Sequence, residues 1–507
     1  MEAIHILRGG VAPDDGWLAS MGRRLCQGCR RLMARSSSHC QGCRRQGQED
    51  LSGSAGPLGP GTPLSQPEPP MRPTISAVLG DRRGVLEHVP RGCRASVLQA
   101  LGRVLHNFCT MKTWESLRDL LGFGKAILAA PKRGGHRRLP ALEREVILRA
   151  NALGTSSFED LWARTAVPAK ASKPKSRVPR SETIAPPQAH QAIPEDVVSR
   201  VSALVGEGAL SKACKVLLST GVWDPEDPRV SRKLQDLHPV TGQPDLSTQA
   251  LGTDLDSLPR FHWDMTAKGK AERLQALQST IGHFPPGSAG GPSGLRPAHL
   301  KDCLCEADAS SQAGFLSALD DFVRLCLDGD LPQAASPYLC AAHLVPLRKT
   351  EPTVPEDPQA PVDVRPVAVG EVLRRLVSKV CMAQGQMRRA AVDMEPVQCG
   401  LGTRGACELI GQATTTLVRE LHLRHAEQND WAVLQVDLAN AFNCVSRQHM
   451  MQAFVDRCPE AAHWMASSYG QPAHLFCGSL RLLSHTGVQQ GDNMGPAGFC
   501  FATQDLW

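Results

Sequence analysis

Apolar residues recur every three or four positions in several long stretches of the chain, which is the pattern of amphipathic helices. Between residues 85 and 165 this spacing predicts a small helical domain. Helices are also expected over residues 194–257, with a turn at Gly-Val-Trp-Asp-Pro. From residue 258 to residue 507 helical runs alternate with short β-rich runs such as HLVPL, VRPVAV and WAVLQVDL. The chain is therefore predicted to be an α+β protein.

Two stretches interrupt these patterns. Residues 51–84 begin with a run rich in Gly, Pro and Ser, and residues 166–193 are rich in Pro, Ala, Ser and Lys. Both compositions are typical of linkers. We therefore expect a head over residues 1–50, the helical domain over residues 85–165, and a further helical segment that starts at residue 194.

The head contains two C-x-x-C pairs separated by ten residues, each written CQGC and flanked by arginines. Cys26 pairs with Cys29, and Cys40 pairs with Cys43. Four thiolates presented by two tight turns are a typical ligand set for a tetrahedral zinc ion. The spacing predicts a zinc ribbon, with His39 as a substitute ligand. The alternative is a disordered arm with free thiols.

The other 14 of the 18 cysteines are scattered through apolar stretches, as at Cys214, Cys326, Cys381 and Cys444. We expect them to be buried, reduced thiols. No apolar run reaches the roughly 18 residues of a membrane span, and acidic residues fall where a secretory peptide would have its apolar stretch. These observations predict an intracellular protein with no membrane partner.

The 507 residues include 56 bases and 50 acids, and the resulting net charge of +6 is too small to indicate a nucleic-acid partner by itself. The excess is concentrated between Arg103 and Arg180, where 16 bases face 6 acids. Such a concentration is expected of a surface that contacts phosphates. A solvated helix face followed by a basic linker explains it equally well. The aromatic content of 4% argues against a protein that works mainly by stacking bases.

Two segments near the carboxyl end carry the candidate chemistry. WAVLQVDLANAF is predicted to contain a buried strand that ends at Asp437, where a carboxylate is costly unless it binds a cation or a hydrogen-bond donor. A structural cap is the alternative role for this residue. Further along, SLRLLSHTGVQQGDNMGPAGFCFA predicts a hairpin, a Gln-Gln-Gly-Asp turn and a helix.

Together, D-x-x-x-A-F and G-V-Q-Q-G-D-x-x-G-P resemble the first and second palm motifs of reverse transcriptases from non-LTR retrotransposons. Upstream, GGPSGLRPAHLKD, HLVPLRK, VRPVAVGEVLRRLVSK and QCGLGTRGACELI resemble the finger segments and the approach to the palm, in the expected order. The resemblance covers residues 258–507. It implies the fingers and an incomplete palm of a right-hand polymerase fold, preceded by the zinc ribbon and the helical segments.

The resemblance implies roles for individual palm residues. Asp437 matches the first catalytic carboxylate, which with the Leu438 carbonyl would hold Mg²⁺ for attack of a primer 3′ oxygen on a dNTP. Phe442 matches the steric gate that excludes a ribose 2′-OH. Gln490 and Gly491 match the turn that packs against the nascent base pair.

In the fingers, Lys349 and Arg365 match the cations that clamp the triphosphate. A solvated surface lysine and a helix-start salt bridge are the alternative roles. The stretch TEPTVPEDPQAPVD between them is longer and more acidic than the usual finger hairpin, which could repel a phosphate. Asn493 replaces the proline common after Gly-Asp, and we expect the turn to tolerate it.

This sequence has no aromatic-x-Asp-Asp hairpin after the second motif, since its adjacent Asp pairs all precede Asp437. Two Mg²⁺ ions about 4 Å apart repel each other and need several carboxylates. We therefore expect an amino-terminal portion of a reverse transcriptase that ends before the Asp-Asp motif and does not polymerise. Its partners would be an RNA template and DNA, and dNTP would bind only if the polymerase were completed. A nuclear location is expected because such an enzyme works on genomic DNA.

Two other functions remain open at this point. One is a zinc-containing nucleic-acid-binding protein in which the palm remnant is not catalytic. The other is a helical interaction protein with an incidental basic linker. The salt dependence of binding separates them, because phosphate contacts weaken steeply with added salt.

Overall fold

The computed structural model describes residues 3–8, 23–25, 32–34, 72–131, 139–153, 158–165, 195–206, 208–306, 308–349, 361–424 and 431–506. These residues form an α+β structure, as the sequence predicted. The chain divides into two compact units. The first comprises residues 1–63 and 403–439, and the second comprises residues 64–402 and 440–507.

In chain order the elements are β1 (Ala3–Arg8), β2 (Arg23–Leu25), β3 (Leu32–Ala34), α1 (Ile75–Gly80), α2 (Arg94–Met111), α3 (Trp114–Ile127), α4 (Leu139–Ala152), α5 (Phe158–Thr165), α6 (Glu195–Gly206), α7 (Leu210–Leu217), α8 (Pro228–Leu237), α9 (Thr248–Leu251), α10 (Ala267–Gly282), α11 (Pro297–Glu306), α12 (Ala309–Leu327), α13 (Ser336–Leu339), β4 (Ala342–Arg348), β5 (Val364–Gly370), α14 (Val372–Ala383), α15 (Gly385–Val392), α16 (Ala406–Arg424), β6 (Trp431–Val436), α17 (Ala441–Cys444), α18 (Arg447–Arg457), α19 (Pro459–Tyr469), β7 (Ala473–Cys477), β8 (Leu480–Ser484) and α20 (Gly495–Thr503). Short 3₁₀ turns lie at Arg91–Cys93, Leu255–Ser257, Gln333–Ala335 and Gln504–Leu506.

The first unit contains two small antiparallel sheets and helix α16. Strand β1 pairs with β6, with Ala3 opposite Val436. Strand β2 pairs with β3, with Arg23 opposite Ala34. The β2–β3 pair flanks the segment that carries Cys26 and Cys29.

The second unit contains a four-stranded mixed sheet in the order β5-β4-β7-β8. Strand β4 pairs antiparallel with β5 and parallel with β7, and β7 pairs antiparallel with β8. Buried residues alternate along β5 with exposed or half-buried ones, so this strand buries one face. On that face Val230 and Leu234 of α8 belong to the same apolar cluster as Leu344, Val364 and Leu475 of the sheet.

The main core of the second unit gathers helices from distant parts of the sequence. Helices α2 and α12 cross closely, since a Cβ atom on Gly102 would lie 3.3 Å from the Cα atom of Phe315. Helices α1 to α5 share one hydrophobic core with α12, α14, α18, α19 and α20. The packing does not separate the helices over residues 85–165 from the segment after residue 258. The sequence pattern shows which face of a helix is apolar, but it does not show which partner covers that face.

The linker predicted over residues 51–84 extends too far. Residues 75–80 form helix α1, in which Ile75, Val78 and Leu79 are fully buried. Thr74 caps this helix, because its hydroxyl accepts a hydrogen bond from the Ala77 amide at 3.2 Å. Among the later helices, the apolar run over residues 194–219 forms two helices, α6 and α7, and Gly208 between them has a φ of +71°.

All 14 cysteines in the described part of the chain are free thiols. Cys326 and Cys381 are buried, as predicted. The prediction is wrong for four exposed cysteines, which are Cys214, Cys305, Cys407 and Cys444. All four lie in helices whose apolar sequence neighbours do not determine which side faces the core. None of the helices in the described ranges combines the length and apolar character needed to cross a bilayer.

Candidate functional site

The Gln-Gln-Gly-Asp turn is held in place by a buried charged network. The Asp492 carboxylate accepts hydrogen bonds from Arg374 at 2.9 Å, from Ser378 at 3.1 Å and from the Tyr469 hydroxyl at 2.6 Å. Arg374 also donates to the Gln489 side chain. Both side chains of the ion pair are almost fully buried, at 1% and 2% exposure. A buried carboxylate is stabilised in this way only when several donors surround it.

Two side chains of the network have raised pKa values in the folded state. Burial alone would lower the pKa of Arg374, but the negative charge of Asp492 opposes this and holds that pKa above its usual value. Burial, followed by the charge of Asp492, raises the pKa of Tyr469 well above its ordinary range, so its hydroxyl remains a donor. A paired guanidinium and a phenol that keeps its proton together fix the orientation of the carboxylate.

The fixed turn lies against the edge strand β5. The carbonyl oxygen of Gln490 accepts a hydrogen bond from the Ala368 amide at 2.8 Å. Gly491 has a φ of +127°, and a Cβ atom there would lie 2.3 Å from the Ala368 carbonyl oxygen. Only glycine fits this close approach. The Asn493 side chain donates to the Arg375 carbonyl at 2.9 Å, which gives the residue in place of proline a partner.

Phe442 is attached to the same turn through its backbone. Its carbonyl accepts a hydrogen bond from the Val488 amide at 2.7 Å, and the Gly487 amide donates to the Val445 carbonyl at 3.0 Å. The Phe442 ring stacks on Phe499 of α20, with centroids 5.2 Å apart and planes 24° apart. The structure thus brings Phe442, Gln490 and Gly491 together in the second unit.

The two predicted finger cations lie on one exposed face of the β4–β5 hairpin. Arg365 is the second residue of β5 and is exposed, so the alternative of a helix-start salt bridge is wrong. Leu347 lies opposite Arg365, and Arg348 lies opposite Val364. Lys349 follows opposite Asp363. We call the surface formed by Lys349, Asp363 and Arg365 the cationic face.

Lys349 is not a free cation. Its Nζ atom lies 3.0 Å from Oδ1 of Asp363, and the two side chains are 45% and 46% exposed. Asp363 is the last residue of the acidic stretch that we expected to repel a phosphate. Residues 350–360 of that stretch lie outside the described residues.

The opposite side of the hairpin is packed against the segment before α8. The Arg348 guanidinium lies 3.8 Å from the ring centroid of Trp223, and the Trp223 indole donates to the Asp363 carbonyl at 3.0 Å. The Trp223 amide donates to the Pro346 carbonyl at 2.9 Å. Trp223 therefore packs against the side of the hairpin opposite the cationic face and does not cover that face.

Asp437 and Leu438 belong to the first unit, at the end of β6. The prediction that this strand is buried is wrong over the residues described there. Leu434 and Val436 are half buried, Gln435 and Asp437 are exposed, and Leu438 is 39% exposed. The described part of β6 pairs with β1 alone, which explains the exposure. Burial therefore does not make the Asp437 carboxylate costly.

The predicted zinc ligands Cys26, Cys29, Cys40 and Cys43, with His39, lie outside the described residues. Within the described ranges no group of three or more His, Cys, Asp or Glu side chains is arranged to hold a metal ion. The zinc ribbon therefore stays a prediction, as do the roles of Asp437 and Leu438 in holding Mg²⁺.

Three of the basic residues between Arg103 and Arg164 are used inside the second unit. Arg118 is buried, and its guanidinium lies 3.3 Å from Glu159. Lys125 is 3% exposed and donates to the carbonyls of Val78 and Leu79, both at 2.9 Å. The Arg149 guanidinium donates to the Ala129 carbonyl at 3.2 Å and pairs with Glu145. These side chains are engaged with partners inside the fold, so they add little to a phosphate-binding surface.

Sequence reasoning missed Arg374, Tyr469 and Asp363. A signal for Arg374 was present, because helical spacing puts it on the same side as Val377 and Ser378, close to the apolar residues of VLRRLVSK. A charged residue on the buried side of a helix needs a buried partner of opposite charge. Nothing in the local sequence identifies that partner as Asp492, which lies 118 residues further along the chain.

Neither a protein-family model nor the sequence of a curated protein matches this chain.

Proposed function

We propose that residues 258–507 are the fingers and part of the palm of an RNA-directed DNA polymerase of the non-LTR retrotransposon type, and that the chain binds an RNA template and DNA. One observation carries the proposal. The Gln490 carbonyl bonds to the Ala368 amide at 2.8 Å, which joins the second palm motif to the strand that bears Arg365. Motifs that are more than 100 residues apart in sequence thus meet on one edge of the sheet.

The chemistry of this edge suits an incoming nucleotide. Arg365 is exposed, and a guanidinium can bind phosphate oxygens through two parallel hydrogen bonds. The turn at Gln490 and Gly491 presents main chain, because Gly491 has no side chain and is exposed. Phe442, stacked on Phe499, supplies the steric gate in this proposal.

Asp437 is the carboxylate that would hold Mg²⁺, with the Leu438 carbonyl as a second oxygen ligand. Mg²⁺ prefers oxygen ligands, and the exposed Asp437 carboxylate fits that preference. One carboxylate does not fit the two-ion site of a polymerase, which needs several carboxylates to offset the repulsion of ions about 4 Å apart. We propose that residues 1–507 on their own bind nucleotide and nucleic acid without polymerising. In the head, the four cysteines would hold a structural Zn²⁺.

A second candidate is a zinc-containing nucleic-acid-binding protein whose palm remnant is not catalytic. The ion pair between Lys349 and Asp363 favours it, because one of the two finger cations is already neutralised. Both proposals predict binding that weakens steeply with added salt. Only the first predicts a nucleotide site at Arg365.

The test is the binding of a fluorescent dNTP to the 507-residue protein in the presence of a DNA primer annealed to an RNA template. We expect Arg365→Ala to weaken nucleotide binding by about ten- to a hundredfold, since a hydrogen bond to a charged group contributes about 1.5–3 kcal/mol. Arg144→Ala is the matched control, because Arg144 is exposed on α4, away from the hairpin. It should leave the affinity unchanged.

Equal affinities for the Arg365→Ala and wild-type proteins would contradict the nucleotide site and leave the second candidate. With MgCl₂ added, the same mixture should show no primer extension. Template-directed incorporation of dNTP by this polypeptide would contradict the part of the proposal that concerns polymerisation.

A further inference from the structure

On the cationic face, an acidic side chain lies between two basic ones. Asp363 and Arg365 are two residues apart in the same extended segment, so their side chains emerge on the same side, about 7 Å apart. Across the hairpin, the Lys349 amide donates to the Asp363 carbonyl at 3.4 Å. The Lys349 and Asp363 side chains then form the ion pair at 3.0 Å. The acid thus sits beside one cation and in contact with the other.

The two cations of this face differ in availability. Lys349 is already paired with a carboxylate, whereas Arg365 has no ion pair with any residue in the described ranges. Arg348 does not join them, because it faces the other side of the hairpin and stacks on Trp223 at 3.8 Å. Among the residues that the structure describes, the face therefore offers one cation without an ion pair and one that must first leave its partner.

We propose that Asp363 competes with linked phosphates for Lys349, and thereby reduces the preference of the cationic face for linked phosphates over a single phosphate. A single phosphate can bind Arg365 without disturbing Lys349. A chain of phosphates can reach both cations, and its larger charge compensates for displacing Asp363 from Lys349. This inference rests on the proposed nucleotide site and names the residue that lowers the affinity of that site for a triphosphate.

The energy scale allows such a displacement. Both partners of the ion pair are close to half exposed, so water screens their attraction and the pair is weak. Breaking a pair of this kind lowers the affinity of a competing anion by a factor of at most about five. Asp363 is therefore strong enough to bias the choice of ligand and weak enough for a polyphosphate to replace it.

The experiment measures binding of sodium tripolyphosphate and of inorganic phosphate to the 507-residue protein by calorimetry at low salt and without Mg²⁺. We expect wild type to prefer tripolyphosphate. In Asp363→Asn, tripolyphosphate should bind two- to fivefold more tightly, with a smaller gain for inorganic phosphate, so the preference for tripolyphosphate rises. Asp256→Asn is the matched control, since it removes one negative charge from an exposed position far along the chain.

Loss of the carboxylate should act through Lys349. In a Lys349→Met background, Asp363→Asn should therefore change tripolyphosphate affinity much less than in wild type, a coupling that a merely structural role of Asp363 would not produce. The proposal is overturned if Asp363→Asn leaves both affinities unchanged, or if Asp256→Asn raises them equally. If either of these results is found while dNTP still binds normally, only this inference is overturned. If no variant binds tripolyphosphate, the proposed nucleotide site is overturned as well.

Discussion

Gly487 lies where the segment after β8 passes under α17. Its φ is +63°, a region that residues with a side chain enter at a cost of about 1–2 kcal/mol. A Cβ atom at this position would also lie 2.2 Å from the Phe442 carbonyl oxygen, which is backbone and cannot move aside. The hydrogen bonds that join Phe442 and Val445 to the turn therefore depend on a glycine here.

We expect Gly487→Ala to lower the free energy of unfolding by more than about 2 kcal/mol, because backbone strain and the clash with Phe442 add together. Urea denaturation measures the change. Gly314→Ala is the control, since Gly314 lies within helix α12 and a Cβ atom there would have nothing within 4 Å. That substitution should stabilise the protein by about 0.5–1 kcal/mol. Similar destabilisation by both changes would show that position 487 has no special constraint.

Motif spacing put forward the residues of the candidate site, but it did not predict their surroundings. Phe442, Gln490 and Gly491 do meet in the second unit, in keeping with their order in the two palm motifs. The partner of Lys349 was not predicted, since Asp363 is the last residue of a long stretch whose geometry the sequence does not determine. Burial at Asp437 was predicted wrongly, because an apolar run predicts a strand without showing how many strands will pair with it.

Helices α14 and α19 and the turn after β8 are tied together by Asp492. Its carboxylate receives donors from α14 through Arg374 and Ser378, and from α19 through Tyr469. The Trp464 indole donates to Ser378 at 3.3 Å, which extends the network further along α19. Breaking a buried ion pair leaves one charge uncompensated in a medium of low polarity.

Asp492→Asn should therefore lower the free energy of unfolding by about 3–5 kcal/mol. Asp505→Asn makes the same chemical change in the pair between Arg457 and Asp505, where the aspartate side chain is 84% exposed. There the loss should stay below about 1 kcal/mol. Urea denaturation of the two variants gives the comparison, and equal losses would mean that the buried network contributes no more than a surface pair.

The sequence predicted the individual helices and strands better than it predicted which of them pack together. Helices α2, α3, α4 and α12 and strands β4 and β5 lie where the periodicity of the sequence predicts them. Helix α1 was missed because it has only six residues and follows a run rich in Gly and Pro. The shared core of α2 and α12 could not be predicted, since the close approach at Gly102 and Phe315 depends on a contact between residues far apart in sequence.

Glu371 brings its own segment close to two segments far away in sequence, which carry Ser293 and Lys125. It precedes α14 and is fully enclosed, where its two carboxyl oxygens accept hydrogen bonds from the Ser293 amide at 2.6 Å and the Ser293 hydroxyl at 2.5 Å. Burial raises the pKa of Glu371 to about 7, although the Ser293 bonds and the charge of Lys125 act in the opposite direction. The raised pKa means that the folded protein favours the protonated acid. The stabilisation from this proton is fully present below pH 4.5, the pKa of the group in the unfolded chain, and is lost as pH rises through about 7.

Glu371→Gln keeps the shape and the acceptor of the protonated acid but removes the titration. Relative to wild type, the variant should gain stability as pH rises from 5 to 8, by up to about 3 kcal/mol. The reason is that the wild-type protein loses the stabilisation from its buried proton over this range, whereas the glutamine has no proton to lose. His299, whose pKa burial lowers to about 4, adds an opposite slope in acid that both proteins share. The difference between the two unfolding free energies therefore isolates Glu371. Urea denaturation at several pH values measures it, with Glu272→Gln at an exposed position as the control, and a difference that stays constant with pH would contradict the assignment.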